Sequence, residues 1–193
     1  LEDKLRKYLR DYAFLYSIAG VIIILDQWTK WLVRERLAYT ESWSPWEWLS
    51  PFARIVHWNN TGAAFGMFQG YALIFTVLAI GVSAAIMYYF PSIPVKDWVI
   101  RVALSMQLGG AVGNLIDRLM FGGKVTDFIS VGSFAVFNVA DASITVGVAI
   151  LLLAVMYKEY QDKKKRTAEV VPQAGSDQNQ PAATVSNETE SQQ

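Results

Sequence analysis

Residues 67–90 read MFQGYALIFTVLAIGVSAAIMYYF, 24 residues without a charge. About 20 apolar residues in a helix cross the hydrocarbon core of a bilayer, so this stretch predicts a membrane span. Pro91 and Pro94 follow and end it. Three more such runs lie on either side. Tyr12–Leu25 is uncharged and continues through Asp26-Gln-Trp-Thr-Lys30-Trp-Leu-Val33 with helical character, which predicts a helix over residues 10–36. Trp98–Ile116 is broken only by Arg101 and predicts a span over 98–118. Phe134–Tyr157 carries Asp141 as its only charge and predicts a span over 135–158. The expected fold is an all-α integral membrane protein, a four-transmembrane-helix bundle. Residues 1–160 would form a single membrane domain.

Composition agrees. Of 193 residues, 53% are hydrophobic and 18% charged, against about 25% charged in an ordinary soluble domain. Residues 161–193 hold no Leu, Ile or aromatic residue; a disordered polar tail is expected there, because it cannot bury enough apolar surface to order itself. The absence of Cys excludes disulfides, thiolate nucleophiles and zinc-thiolate sites. The single histidine, His57, excludes a two-histidine metalloprotease helix and reads as a satisfied loop residue. Zero net charge argues against a nucleic-acid partner.

Four spans place both termini on one side. That side, with the turn at 91–101, holds 11 of the 17 basic residues, so the positive-inside rule makes it cytoplasmic. The first run is read as a retained span, since no cleavage motif follows it. Segments 37–66 and 117–133 would face the outside. Trp43, Trp46, Trp48 and Trp58 favour the headgroup layer there, partly in a strand at Ala53–Trp58: a small interfacial β-containing segment.

Polar residues in spans are costly and usually functional. Asp26, Asp117, Asp127 and Asp141 all fall near the outer interface in this topology. Two adjacent carboxylates share a proton, which equips them to deprotonate a water and protonate a leaving amide. Peptide hydrolysis and proton or ion translocation both fit. So do plain ion pairs: Asp26 and Lys30 stand four apart on one helix face, and Asp117 could pair across helices. Asn60, Asn114 and Asn138 accompany the acids, with Asn114–Asp117 and Asn138–Asp141 each at i,i+3, one turn apart on a helix face. Gly109, Gly110 and Gly113 thin one face of the third span, and the segment Gly62–Gly66 is similarly small. Both read as close-packing surfaces.

Five segments, in order, resemble those of lipoprotein signal peptidase, the type II bacterial signal peptidase: Asp26-Gln-Trp-Thr-Lys30, Asn60-Thr-Gly-Ala-Ala-Phe65, Gly109-Gly-Ala-Val-Gly-Asn-Leu-Ile-Asp-Arg118, Val125-Thr-Asp-Phe128 and Phe137-Asn-Val-Ala-Asp-Ala-Ser143. Thr126 and Ala142 depart from the usual residues at their positions. The resemblance implies a membrane aspartyl protease of the bacterial inner membrane whose catalytic pair is Asp127 and Asp141. It implies supporting or substrate-binding roles for Asp26, Asn60, Gly110, Asn114, Asp117, Arg118 and Asn138. It also implies a substrate, a prolipoprotein carrying diacylglycerol on its lipobox Cys and cut on the N-terminal side of that Cys. No metal or organic cofactor is expected. The expected partners are lipid-modified prolipoproteins and membrane lipid, and the expected state is a monomer.

Overall fold

The structure, a computed structural model, describes residues 1–61 and 71–170, with side chains through Arg166. Among the described residues four helices are long and apolar enough to cross a membrane: α1 (Glu2–Arg36), α2 (Ala72–Tyr89), α3 (Trp98–Met120) and α4 (Val139–Val170). Three strands, β1 (Ser42–Trp43), β2 (Ala53–Asn60) and β3 (Val125–Val131), form one antiparallel sheet in the order β1-β2-β3. This is the expected helical membrane architecture with its small β element. Residues Leu1–Val155 make one compact unit. The described residues beyond Met156 are the polar continuation of α4, where Glu159 and Lys163 pair at 3.0 Å.

Helix bounds depart from the sequence reading in three places. Helix α1 starts at Glu2, not near residue 10, and the acids Glu2 and Asp3 in its first turn suit the helix dipole. The segment expected as the second span begins at Met67, but the helix begins at Ala72. Residues 67–70, like Gly62–Gly66 and the tail from residue 171, lie outside the described residues. Helix α4 starts at Val139, not 135, because Phe137 is still bridged to Ile129 of β3, and it continues to Val170.

Helix α3 is the hub, with Leu108, Gly109, Gly110, Ala111, Gly113, Asn114 and Asp117 among its buried residues. A Cβ on Gly109 would lie 2.9 Å from both the Ala19 carbonyl oxygen and the Ile22 Cβ. One on Gly113 would lie 2.7 Å from Asp26 Oδ2. One on Gly110 would collide with the Ala140 carbonyl oxygen. The Gly109–Gly113 face therefore receives α1, and Gly110 receives α4. The outward faces are apolar, with Leu73, Ile74, Val77 and Leu78 on α2 and Leu152 and Leu153 on α4 exposed, as a surface bathed in lipid requires.

Leu15, Ala19, Ile86, Phe90 and Leu108 form the apolar core. Beside it sits a buried ion pair that the sequence reading missed. Arg101 Nη2 donates to Asp11 Oδ1 at 2.7 Å and Nη1 to the Ile93 carbonyl at 3.1 Å, while the guanidinium stacks over Phe90 at 4.5 Å. The pair ties α1 to α3 and to the Pro91 turn, far along both helices from the sheet. At the other end of α3, Gly122 and Gly123 take positive φ values of 63° and 87°. The Gly123 N–H caps the Arg118 carbonyl at 2.8 Å in a Schellman-type stop that turns the chain directly into β3.

Gly109→Ala is expected to force α1 and α3 apart, an overpacking cost of about 1–3 kcal/mol. Gly20→Ala, with nothing within 4 Å of its added methyl, should cost nothing. Thermal unfolding of both variants in detergent checks this: a lowered midpoint for Gly109→Ala alone is the expected result.

Candidate active site

The sheet carries Asp127 to the bundle. Within the β2–β3 pairing Trp58 faces Asp127 and Asn60 faces Val125, which brings Asn60 Nδ2 to 3.0 Å from Asp127 Oδ2. The chain then returns past Gly132, at a φ of 53°, and the Phe128 and Ile129 N–H groups bond the Phe137 carbonyl at 3.0 and 2.8 Å. That short return delivers Asn138 to the start of α4 beside the strand.

Asn138 is not on a helix face, as its spacing from Asp141 had suggested. It is the residue before α4, and the pair forms a reciprocal capping box. Asn138 Oδ1 accepts the Asp141 N–H at 2.9 Å, and the Asn138 N–H donates to Asp141 Oδ2 at 3.3 Å. The remaining end of the same amide, Nδ2, donates to Asp127 Oδ1 at 2.7 Å. One residue thus holds both acids. Asn114 supplies the other donor to Asp141, Nδ2 to Oδ1 at 2.7 Å.

Asp127 and Asp141 line a cavity of about 480 Å³ together with Asn60, Asn114, Arg118 and Phe75. Its remaining wall is largely apolar: Phe134–Phe137 at one end, and Ala142, Thr145 and Val146 along one face of α4. Val146 is 48% exposed, so this wall reaches the lipid-facing surface. Asp127 itself is only 1% exposed. Burial foremost, and then the Asp141 carboxylate, push its carboxyl up to about 7, against the opposing effect of its two asparagine donors and Lys30. Arg118 Nη1 lies 3.5 Å from the Asn114 carbonyl oxygen, and its guanidinium faces the Phe75 ring at 5.6 Å.

The other two acids take a different place. Asp26 and Asp117 are fully buried and enclose Lys30, whose Nζ lies 2.8 Å from Asp26 Oδ2 and 3.4 Å from Asp117 Oδ2. The i,i+4 ion pair of the sequence reading is therefore real. The cross-helix ion-pair partners of Asp117 are Lys30 and Arg34 of α1, the latter at 3.8 Å. Asp26 Oδ1 also accepts the Ala140 N–H, and Asp117 Oδ2 the Thr126 N–H, each at 2.9 Å. Gly110 acts by packing against Ala140 and Ile144. Gln27, not among the expected site residues, extends its Nε2 to Asp26, Asp117 and the Gly113 carbonyl at 3.0–3.1 Å. Arg34, likewise not expected there, donates to Thr126 Oγ1 at 3.0 Å. Gln27 follows Asp26 directly and stands seven residues before Arg34, so the two share one helix face beside that acid, and this was the available signal.

His57 is satisfied as expected, its Nδ1 2.9 Å from the Leu37 carbonyl oxygen, but it lies within strand β2 and not in a loop. Trp43, Trp46 and Trp48 are exposed on the β1–β2 segment, with Trp46 and Trp48 stacked at 5.9 Å. Among the described residues no group of His, Cys, Asp or Glu is arranged to hold a metal ion.

The family described as signal peptidase (SPase) II matches residues 18–157. A lipoprotein signal peptidase of Halalkalibacterium halodurans is 40% identical over 157 residues, which is 79% of this chain and 98% of that protein. One of Bacillus pumilus is 38% identical over 80% of this chain and 99% of its own length. A solved bacterial membrane enzyme superposes with a TM-score of 0.67 at 31% identity, over 75% of this chain and 88% of its own. The family match and the four apolar helices make the chain a membrane peptidase. The chain belongs to the signal peptidase II family, and as a member it is a multi-pass bacterial membrane protein.

Asp127 is expected to keep its proton up to about pH 7. Infrared spectroscopy across a pH titration checks this: a protonated-carboxyl band should fade as pH rises through that value and be missing from Asp127→Asn.

Proposed function

We propose that the protein is an aspartyl endopeptidase acting within the membrane, with Asp127 and Asp141 as its catalytic pair. Its substrate is a prolipoprotein bearing diacylglycerol on the lipobox Cys, cut on the N-terminal side of that Cys. The observation that carries the reading is that Asn138 holds both acids, its Nδ2 on the Asp127 carboxylate and its backbone N–H on the Asp141 carboxylate, and that both acids line one cavity whose other wall is apolar. The names of the relatives supply the substrate class.

Asp127, with its raised pKa, starts protonated and Asp141 ionised. Asp141 takes a proton from water as the oxygen bonds to the scissile carbonyl carbon. The carbonyl oxygen takes the proton of Asp127, giving a neutral tetrahedral diol. Asp141 then passes its proton to the amide nitrogen of the Cys, Asp127 recovers one from a diol hydroxyl, and the C–N bond breaks. Both acids end as they began, and the pair titrates as a unit. Asn60 and Asn114 hold the carboxylates in place, while Arg118 stands on the same wall to bind the substrate backbone. The acyl chains lie along the Ala142–Val146 face. The excess of basic residues on the side of the termini supports cytoplasmic termini and a cavity toward the outer leaflet.

Asp127→Asn and Asp141→Asn are each expected to lower cleavage by at least about 10²–10⁴-fold, the usual contribution of positioned acid–base groups, with folding retained. Gel assay of a lipidated prolipoprotein in nanodiscs measures this; substantial turnover by either purified variant removes that residue from the pair.

Cleavage is also expected to need the diacylglyceryl group. Each buried methylene contributes about 0.8 kcal/mol to holding the peptide in the membrane plane, and an unanchored peptide must desolvate its backbone without that gain. The comparison is one prolipoprotein with and without the lipid. Equal rates would contradict the lateral-entry reading even if both Asp variants were inactive.

A further inference from the structure

Lys30 is fully buried, and its ammonium has three acceptors for its three protons: Asp26 Oδ2 at 2.8 Å, Asn114 Oδ1 at 2.9 Å and Asp117 Oδ2 at 3.4 Å. It does not line the cavity that holds Asp127 and Asp141. Each of its three partners, however, ends on one of those acids or on the backbone next to one.

Asp26 Oδ1 accepts the N–H of Ala140, the residue immediately before Asp141. Asp117 Oδ2 accepts the N–H of Thr126, the residue immediately before Asp127. Two carboxylates pointing at each other in an apolar bundle would repel, and one would protonate or swing away. The ammonium between them lets both stay charged acceptors, so both backbone N–H groups remain fixed. The third partner is an amide. Lys30 Nζ and Asn138 Nδ2, the latter at 3.1 Å, are donors only at these contacts, so the end of Asn114 that meets them must be its oxygen. The other end is then necessarily the NH₂ that donates to Asp141 at 2.7 Å. A flipped Asn114 would set NH₂ against an ammonium and a carbonyl against a carboxylate.

We propose that Lys30 is a positioning residue for both acids: through Asp26 and Asp117 it fixes the backbone beside Asp141 and Asp127, and through Asn114 it fixes the amide that holds Asp141. This rests on the reading of Asp127 and Asp141 as the catalytic pair. A second consequence is electrostatic. The charged groups that bear on Asp127 are Asp141 of α4, Lys30 of α1 and Arg118 of α3, with Asp26 and Asp117 around Lys30 itself. Lys30 favours the charged form of Asp127. Its removal moves the loss of the Asp127 proton, and with it the alkaline fall of activity, to higher pH.

The test compares wild type, Lys30→Met and Asp127→Asn, each in nanodiscs with a diacylglyceryl prolipoprotein, measuring kcat, KM and the pH profile. Displacement of both acids should lower kcat on the order of 10²-fold while KM changes by about twofold or less, and the alkaline limb should shift upward. A Lys30→Met protein with wild-type kcat, or with raised KM alone, or with an unmoved limb, overturns the proposal. If Lys30→Met does not fold, Asn114→Asp decides: it keeps acceptors for Lys30 and Asn138 but has no N–H for Asp141. It should fold and lose kcat, and wild-type kcat would overturn the proposal. Cleavage by Asp127→Asn would instead overturn the assignment of the catalytic pair, separately from the role of Lys30.

Discussion

A buried ammonium between two buried carboxylates is the interaction on which the polar half of this structure depends. In lipid, an unpaired charge costs several kcal/mol, and removing one partner from a buried pair leaves that cost uncompensated. Lys30, Asp26 and Asp117 meet where α1 crosses α3. They can meet there only because Gly113 has no side chain: a Cβ would lie 2.7 Å from Asp26 Oδ2. Small residues at the crossing and charged residues beside it are therefore one device. The glycines bring the backbones close enough for the charges to be shared and sealed from lipid.

From that crossing the polar contacts run outward as a connected set, through Asn114 to Asp141, through Asn138 to Asp127, and through Thr126 to the sheet. The sheet converts a bundle into a site. Asp127 comes from a strand and Asp141 from a helix start. They are brought together by a register, Trp58 opposite Asp127, and by a turn that ends on the α4 cap. A capping residue that also binds the opposite acid makes the helix start and the acid pair a single structural event. Loss of the cap and loss of the pairing cannot be separated at Asn138.

Much of this was legible in the sequence, for physical reasons. Uncharged runs such as 67–90 can do little except span a membrane, and four tryptophans around a strand pattern at Ala53–Trp58 belong at its surface. The Gly109–Gly113 spacing announced close packing. What sequence could not show was which acids would share which partners. Asn138–Asp141 and Asn114–Asp117 have the same i,i+3 spacing. One proved to be a cap lying across a strand and the other two turns of a buried helix facing Lys30, and only the start of α4 at Val139 distinguishes them. Likewise Arg101 reads only as an interruption of its span, and nothing in the pattern joins it to Asp11. Their pairing at 2.7 Å depends on the parallel packing of α1 and α3, which no local pattern encodes. Residue patterns report faces and periods well. They report partners poorly, because partners are chosen by tertiary packing.

The most direct measurement of the central account is a structure with a non-cleavable diacylglyceryl peptide in which a secondary alcohol replaces the scissile carbonyl. The account predicts the hydroxyl between the two carboxylates, within about 3 Å of an oxygen of each, with the acyl chains along the Ala142–Val146 face of α4. A hydroxyl placed against only one of Asp127 and Asp141, or acyl chains on another face of the bundle, would contradict it.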